Sequence, residues 1–252
     1  MSDPLSKSIT KPVTKPVTKQ VTEQVTEQPT TLLQQGVAQL GLTLSLEQYH
    51  QLMDFLALMS KWNKVYNLTA LRDPDQMITH HLLDTLAAAP AFANARRVLD
   101  VGAGGGVPGL ILAIVYPKIE FHLIDIVNKK TAFLTQAKVE LGLKNVVVHT
   151  GRVEALGRAE KPLPERFDII TSRAFAELAD FVTWSCHLLS VDGQFIALKG
   201  VLPENEIAKL PAPWRVRATQ ALHVPELNAE RHLIWIDRTS ASLPRQPASS
   251  PG

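Results

Sequence analysis

The chain has 252 residues, 45% hydrophobic and 20% charged, an ordinary globular composition with enough apolar residues for one sizeable core. Against 26 Lys and Arg stand 24 Asp and Glu, a formal net charge of +2, so any nucleic-acid contact must rest on local basic clusters and not on a global field. One cysteine, Cys186, excludes an internal disulfide and a Cys-based zinc site; with no window of about 18 uncharged apolar residues and no apolar leader, a cytoplasmic protein without membrane or metal partner is expected.

Residues 11–26 repeat every four: Lys-Pro-Val-Thr twice, then Lys-Gln-Val-Thr and Glu-Gln-Val-Thr. No large apolar face emerges, so residues 1–30 are expected to form a disordered tail with polyproline-II tendency. A short helix is predicted over 31–42. Ser45 with Gln48 three residues on forms a capping-box pattern, and Leu46, Tyr49, Leu52, Met53, Leu56 and Met59 follow at helical spacing to about Trp62. Asp73-Pro74 opens a further helix that stops before Pro90. These helices occupy 31–95.

From Arg97 the pattern changes. Strands are predicted at 98–101, 121–126, 146–150, 167–171 and 194–198, with helices near 109–115, 129–141, 177–189 and 203–210. Cys186 reads as a small buried hydrophobe on one of these helices. Short apolar strands alternating with helices imply a parallel sheet. Two further strands, 216–223 and 233–236, have no helix between them and should pair as an antiparallel hairpin at the sheet edge. One α/β domain over 31–238 results, with 96–238 as its sheet core and 239–252 as a Ser/Pro-rich tail.

The segment from Asp100 to Gly109 is the most informative. A buried strand ends in Gly102, Gly104, Gly105 and Gly106, and a helix starts with Pro108 near its first turn. Ligands of open α/β sheets bind outside the carboxyl ends of the strands. Asp125 ends the second strand, placed to accept hydrogen bonds from a ribose. The turn also satisfies the dinucleotide fingerprint. Two features favour a methyl donor of the S-adenosylmethionine type over a nicotinamide cofactor. The Asp100 carboxylate would oppose a pyrophosphate and attract an α-amino group, and Pro108 removes one N–H from a phosphate cradle.

Lys61-Trp-Asn-Lys-Val-Tyr-Asn-Leu-Thr69, His81-Leu-Leu-Asp84, the glycine turn with Val107-Pro-Gly109, Arg152-Val-Glu154, Ser172-Arg-Ala-Phe175, Ala197-Leu-Lys-Gly200 and Arg231-His232-Leu233 occur in that order. In this combination the chain resembles the RsmG (glucose-inhibited division protein B) family over roughly 31–238. The resemblance implies a class I, Rossmann-like methyltransferase fold with a mostly parallel seven-stranded sheet. It implies S-adenosylmethionine as cofactor and 16S rRNA or the small ribosomal subunit as partner. It further implies N7 of guanine 527, in the decoding-site loop, as the methylated atom, and a monomer is expected. Carried over by motif, cofactor contacts fall on Gly102, Val107, Asp125, Val153, Glu154 and Arg173, to which the reading of the glycine turn adds Asp100, Gly104 and Gly106. Ile126 stands where the family often has Ser, and Gly105 is an extra glycine.

Guanine N7 carries an in-plane lone pair and no proton, so its methylation needs no general base; alignment and water exclusion are the task. Donors aimed at O6 would hold the base without occupying N7. Arg173 and Lys199, at the ends of neighbouring strands, are the catalytic candidates for that positioning. Phe175 either stacks on the target base or packs under its loop. Lys61, Lys64, Arg72, Lys129, Lys130 and Arg152 are candidates for a basic rim. Trp62, Tyr66 and Asn67 should pack the N-terminal helices onto the sheet. His81 and Asp84 read as a hydrogen-bonded structural pair. A methyltransferase acting on another substrate, an oxidoreductase, and a non-catalytic RNA-binding module that kept the fold stay open as alternatives.

Overall fold

The computed structural model describes residues 27–158, 163 and 165–239. The four-residue repeat and residues 240–252 lie outside the described residues. The first helix, α1, spans Glu27–Gln39 and begins four residues before the expected start. Pro29 does not prevent this, because first-turn N–H groups have no intrahelical partner to lose. Helix α2, Leu46–Tyr66, carries the full capping box: Gln48 N–H donates to Ser45 Oγ at 3.2 Å and Ser45 N–H to Gln48 Oε1 at 2.9 Å. The Gln48 amide also donates to the carbonyls of Ile114 and Val115, which ties this cap to the sheet domain. The helix outruns its expected end by one turn and stops at Asn67, which takes a left-handed φ of 49°.

Asp73 caps α3, Pro74–Met77, as its sequence predicts, accepting Gln76 N–H at 2.9 Å. The chain then widens into a π segment, Ile78–Leu83, before α4, Asp84–Ala88. Nothing in the residue pattern announces that π segment. Such segments are frequent at functional sites, and this one carries His80 and His81.

Seven strands follow: β1 Arg97–Val101, β2 Glu120–Asp125, β3 Val146–Thr150, β4 Phe167–Arg173, β5 Leu189–Lys199, β6 Trp214–Ala221 and β7 His232–Arg238. Their order across the sheet is β3-β2-β1-β4-β5-β7-β6. The first five pair in parallel; β7 runs antiparallel to both β5 and β6. The crossover helices are α5 Gly109–Val115, α6 Asn128–Glu140 and α7 Leu178–Ser185, and the short α8, Glu204–Ala208, follows β5. Helix α7 ends earlier than predicted, in a 3-10 turn that leaves Cys186 only half-buried.

Two cores sit on opposite faces of the sheet. Val98, Ile169 and Ile196 face α1, α2, α5 and α6. Leu99, Ile170 and Ala197, one position on, face α7. This period-two alternation governs the site, because it assigns a face to every side chain at the strand tips. Between β1 and β4 the strand order reverses, and that is where a crevice opens in doubly wound sheets. The Asp168 carboxylate accepts the N–H groups of Arg96 and Arg97 at 2.7 and 3.0 Å, which holds β1 level with β4 beneath the crevice.

Candidate functional site

The glycine turn is built as its residues require. Gly102, Gly104 and Gly106 have φ of 71°, 54° and 83°, a region side-chain-bearing residues rarely enter. Pro108 caps α5 and is not its first residue. Gly109, the first, packs against the strand so closely that a Cβ there would stand 2.7 Å from Asp100 Oδ2 and 2.9 Å from Leu123 Cγ.

Asp100 shares the face of Val98, toward α5, and its carboxylate is fully buried. Oδ2 accepts Gly109 N–H at 2.9 Å, while Oδ1 has no hydrogen-bond partner. Burial pushes this carboxyl up to about 7, against the pull of the Gly109 N–H and of Arg173. Strand parity therefore sets Asp100 behind the turn and not on a cavity wall.

In front of the turn lies a cavity of about 310 Å³, lined by Gly102, Asp125, Val153 and Glu154 together with Lys130, Phe175 and Trp184. This is within the range of small-ligand sites. Asp125 accepts Gly104 N–H at 3.0 Å and Val127 N–H at 2.9 Å, and Lys130 Nζ stands 3.8 Å away. Two carboxylate oxygens offer about four acceptor sites, so both oxygens retain capacity for a ligand hydroxyl. Val153 is buried, whereas Glu154 is half-buried and pairs with Arg152 at 3.5 Å. Ile126, 60% exposed, forms part of the outer rim. Phe175 packs over Gly102, where a Cβ would stand 2.4 Å from its Cδ2, and meets Phe181 and Trp184 edge-on. Phe175 thus packs under its loop. Trp184 was not singled out from the sequence; only the fold brings α7 to this wall.

A second cavity, of about 330 Å³, shares Ala174 with the first and is lined by His80, His81, Asp84, Arg173, Lys199, Arg231 and His232. At its floor Asp84, 4% exposed, bridges two guanidinium groups: Oδ2 accepts Arg173 Nη1 at 2.9 Å and Oδ1 accepts Arg231 Nε at 3.0 Å. Arg173 also donates to the His80 carbonyl at 2.9 Å and contacts His81 Nδ1 at 3.2 Å. Burial, then the Arg173 charge, lowers the His81 imidazole to about 4, so it is neutral near pH 7. An acceptor role at Nδ1 toward Arg173 places the proton on Nε2, which then donates to Thr69 Oγ1 at 3.1 Å. The expected His81–Asp84 pair is thus replaced by two separate bonds to Arg173. His81, in the π segment, and Asp84, just after it, both reach the tip of β4, where the Arg173 guanidinium satisfies each.

Arg173 and Lys199 both line the second cavity, but they leave the sheet on different faces. Arg173 pairs in register with Leu198, so Lys199 falls on the opposite sheet face. Its ammonium donates to Ala176 O at 3.1 Å and to Glu206 Oε2 at 2.7 Å, two of its three N–H groups. Arg231 and Glu206 are the functional candidates that sequence reasoning missed. Arg231 was visible only as part of a family motif, and Glu206 lay in a helix with no feature to mark it.

Trp62 stacks edge-on against Phe133 of α6 at 5.6 Å, packing α2 onto the sheet domain as expected. Tyr66 leans on Trp62 at the exposed rim. Lys61, Lys64, Arg72, Lys129 and Arg152 are exposed, and Lys130 is half-buried. Among the described residues no group of His, Cys, Asp and Glu is arranged to hold a metal, and no helix is long and apolar enough to cross a membrane.

Residues 48–234 match the model of the GidB family, described as rRNA small subunit methyltransferase G. The chain is 60% identical over 214 residues to ribosomal RNA small subunit methyltransferase G of Janthinobacterium sp. (strain Marseille), covering 83% of this chain and 95% of that one. It is 61% identical over 213 residues, with the same coverage, to the protein of that name from Herminiimonas arsenicoxydans. Among solved structures, mitomycin 7-O-methyltransferase MmcR superposes with a TM-score of 0.52 over 73% of this chain and 60% of that one, at 14% identity, a likeness of fold alone. The sheet is that of a class I, Rossmann-like methyltransferase, with the antiparallel hairpin at its C-terminal edge.

Proposed function

The chain belongs to the rRNA small subunit methyltransferase G family, and from that premise we propose that it methylates N7 of guanine 527 in bacterial 16S rRNA with S-adenosylmethionine as donor. The two abutting cavities at the switch point carry this reading. One is lined by Gly102, carboxylates and the aromatic rings of Phe175 and Trp184, the other by guanidinium and imidazole groups, and Ala174 lines both.

The residues present fit the donor. Asp100 Oδ1 is buried without a partner behind the turn and off the cavity wall, so its charge would act on a cationic donor through the turn and not by contact. Gly102 lines the first cavity beneath the Phe175 ring, Asp125 offers acceptors for a ribose, and Val153 and Glu154 line the cavity for an adenine. When bound, S-adenosylmethionine supplies an electrophilic methyl group on a sulfonium sulfur. The protein's own task is alignment. Arg173 and Arg231, oriented by Asp84, present N–H donors toward the second cavity. Donors of this kind hold guanine O6 while leaving the N7 lone pair directed at the first cavity. No group need remove a proton, and His81 offers no free lone pair as a base, because its Nδ1 accepts from Arg173 and its Nε2 faces Thr69 Oγ1. Arg152 and Lys130 line the first cavity, and the exposed Lys61, Lys64, Arg72 and Lys129 are further candidates for phosphate contact. Family membership sets aside the nicotinamide reading of the glycine turn.

The test is mass mapping of 16S rRNA from cells lacking this chain. One missing N7-methylguanine, restored by the chain and not by Arg173→Ala, is expected. An unchanged modification map would refute the assignment.

A further inference from the structure

We propose that Glu206 is a positioning residue for the first cavity, acting through Lys199 and the 174–177 loop; this rests on the reading of that cavity as the donor site. A single oxygen, Glu206 Oε2, accepts both Lys199 Nζ at 2.7 Å and Leu178 N–H at 2.9 Å. Lys199 Nζ reaches on to Ala176 O at 3.1 Å. The connection from β4 to α7 is therefore held by the carbonyl of its residue 176 and by the N–H that opens α7. Both anchors converge on one carboxylate, itself only partly exposed.

What they hold is the segment that shapes the cavity. Ala174 has φ 53°, in the left-handed region that alanine rarely adopts, and it lines both cavities. A residue in such a conformation persists only where its surroundings determine it. Next to it, Phe175 lays its ring over Gly102 and forms the wall opposite Asp125. Helix α8 has no buried residue. Glu206 thus stands on an element with no fully buried side chain, yet it carries the partly buried polar contact between that element and the loop; the other, Lys209 with Glu177 at 3.6 Å, is exposed. Removing the carboxylate would free Lys199 and Leu178 N–H together and let the Phe175 wall leave the turn.

The experiment is calorimetric titration of the full chain with S-adenosylhomocysteine, for wild type, Glu206→Ala, Glu206→Gln, Phe175→Ala and the Glu206→Ala/Phe175→Ala double variant. Glu206→Ala should weaken binding by about tenfold or more, through loss of two charge-assisted bonds. Glu206→Gln, which keeps an oxygen for Leu178 N–H, should lose about threefold. In the Phe175→Ala background the Glu206→Ala change should cost less than about twofold further, because the wall it positions is already gone. Wild-type affinity in Glu206→Ala overturns the proposal and leaves the donor site standing. Losses that multiply independently in the double variant also overturn it, since they place the effect of Glu206 elsewhere. If Glu206→Ala does not fold, Glu206→Gln decides alone: intermediate weakening supports the proposal and none overturns it. Wild type without affinity for the probe overturns the donor reading and this inference with it.

Discussion

Replacing Asp84 by Asn keeps the shape of a buried side chain and removes the charge shared by Arg173 and Arg231. In the native protein each carboxylate oxygen accepts one guanidinium, at 2.9 and 3.0 Å. The asparagine oxygen can still serve one arginine, but its NH2 group then faces the other, donor against donor. Hydrogen bonds to charged groups contribute about 1.5–3 kcal/mol each, and stranding a charge after breaking a buried pair costs about 3–5 kcal/mol. Both arginine side chains are about a fifth to a quarter exposed, at 24% and 22%, so water in the cavity recovers part of this. A net loss of about 3 kcal/mol is the resulting expectation. For a domain of this size, each kcal/mol lowers Tm by about 2–4 °C, so Asp84→Asn should melt about 6–12 °C below wild type in scanning calorimetry. Turnover on small-subunit RNA should fall by at least about a hundredfold, because both positioning arginines lose their fixed orientation. A variant melting within about 2 °C of wild type, with undiminished turnover, would show that Asp84 does not organise the second cavity.

The glycine turn offers two contrasting substitutions. Gly109→Ala forces a Cβ to 2.7 Å from Asp100 Oδ2 inside the core, and should destabilise by about 1–3 kcal/mol in denaturant titration. At Gly104 an added Cβ meets nothing closer than 3.7 Å, but Gly104→Val must hold φ 54°, so it should fold with some loss of stability and fail to bind S-adenosylhomocysteine; unchanged affinity would mean the turn does not face the ligand. Asp100 gives a pH signature. Its carboxyl stands near 7 in the free protein, so if the bound donor requires the carboxylate, affinity should rise about tenfold per pH unit below that value and level off above it, and Asp100→Asn should abolish the slope. The same raised value lets the folded chain keep a proton that the unfolded chain gives up between about pH 4 and 7. This group's contribution to stability is therefore present at low pH and lost as pH rises through that window.

Local rules made the elements legible. The Ser45 capping box, the Asp73-Pro74 helix start, the run of glycines after β1 and the helix-free stretch between the last two strands each act within a few residues, and each is found where the sequence put it. Contacts set by assembly were not legible. Asp84 meets an arginine 147 positions away, and which face of the sheet Lys199 points to depends on the register of β4 against β5. Asp100 was singled out for its charge, yet its parity on β1 sends it toward α5, a fact that needs the strand's face and not merely its existence. The π segment had no sequence signal at all, and through it His81 and Asp84 trade a mutual bond for two bonds to Arg173.

The thin partition between the two cavities has a thermodynamic consequence. Ala174 lines both, so any free energy by which one occupant orders its backbone changes the affinity of the other. Linkage makes the exchange reciprocal: the factor by which methyl donor tightens RNA binding equals the factor by which RNA tightens donor binding. A change in what the first cavity holds is then sensed in the second as a change in affinity.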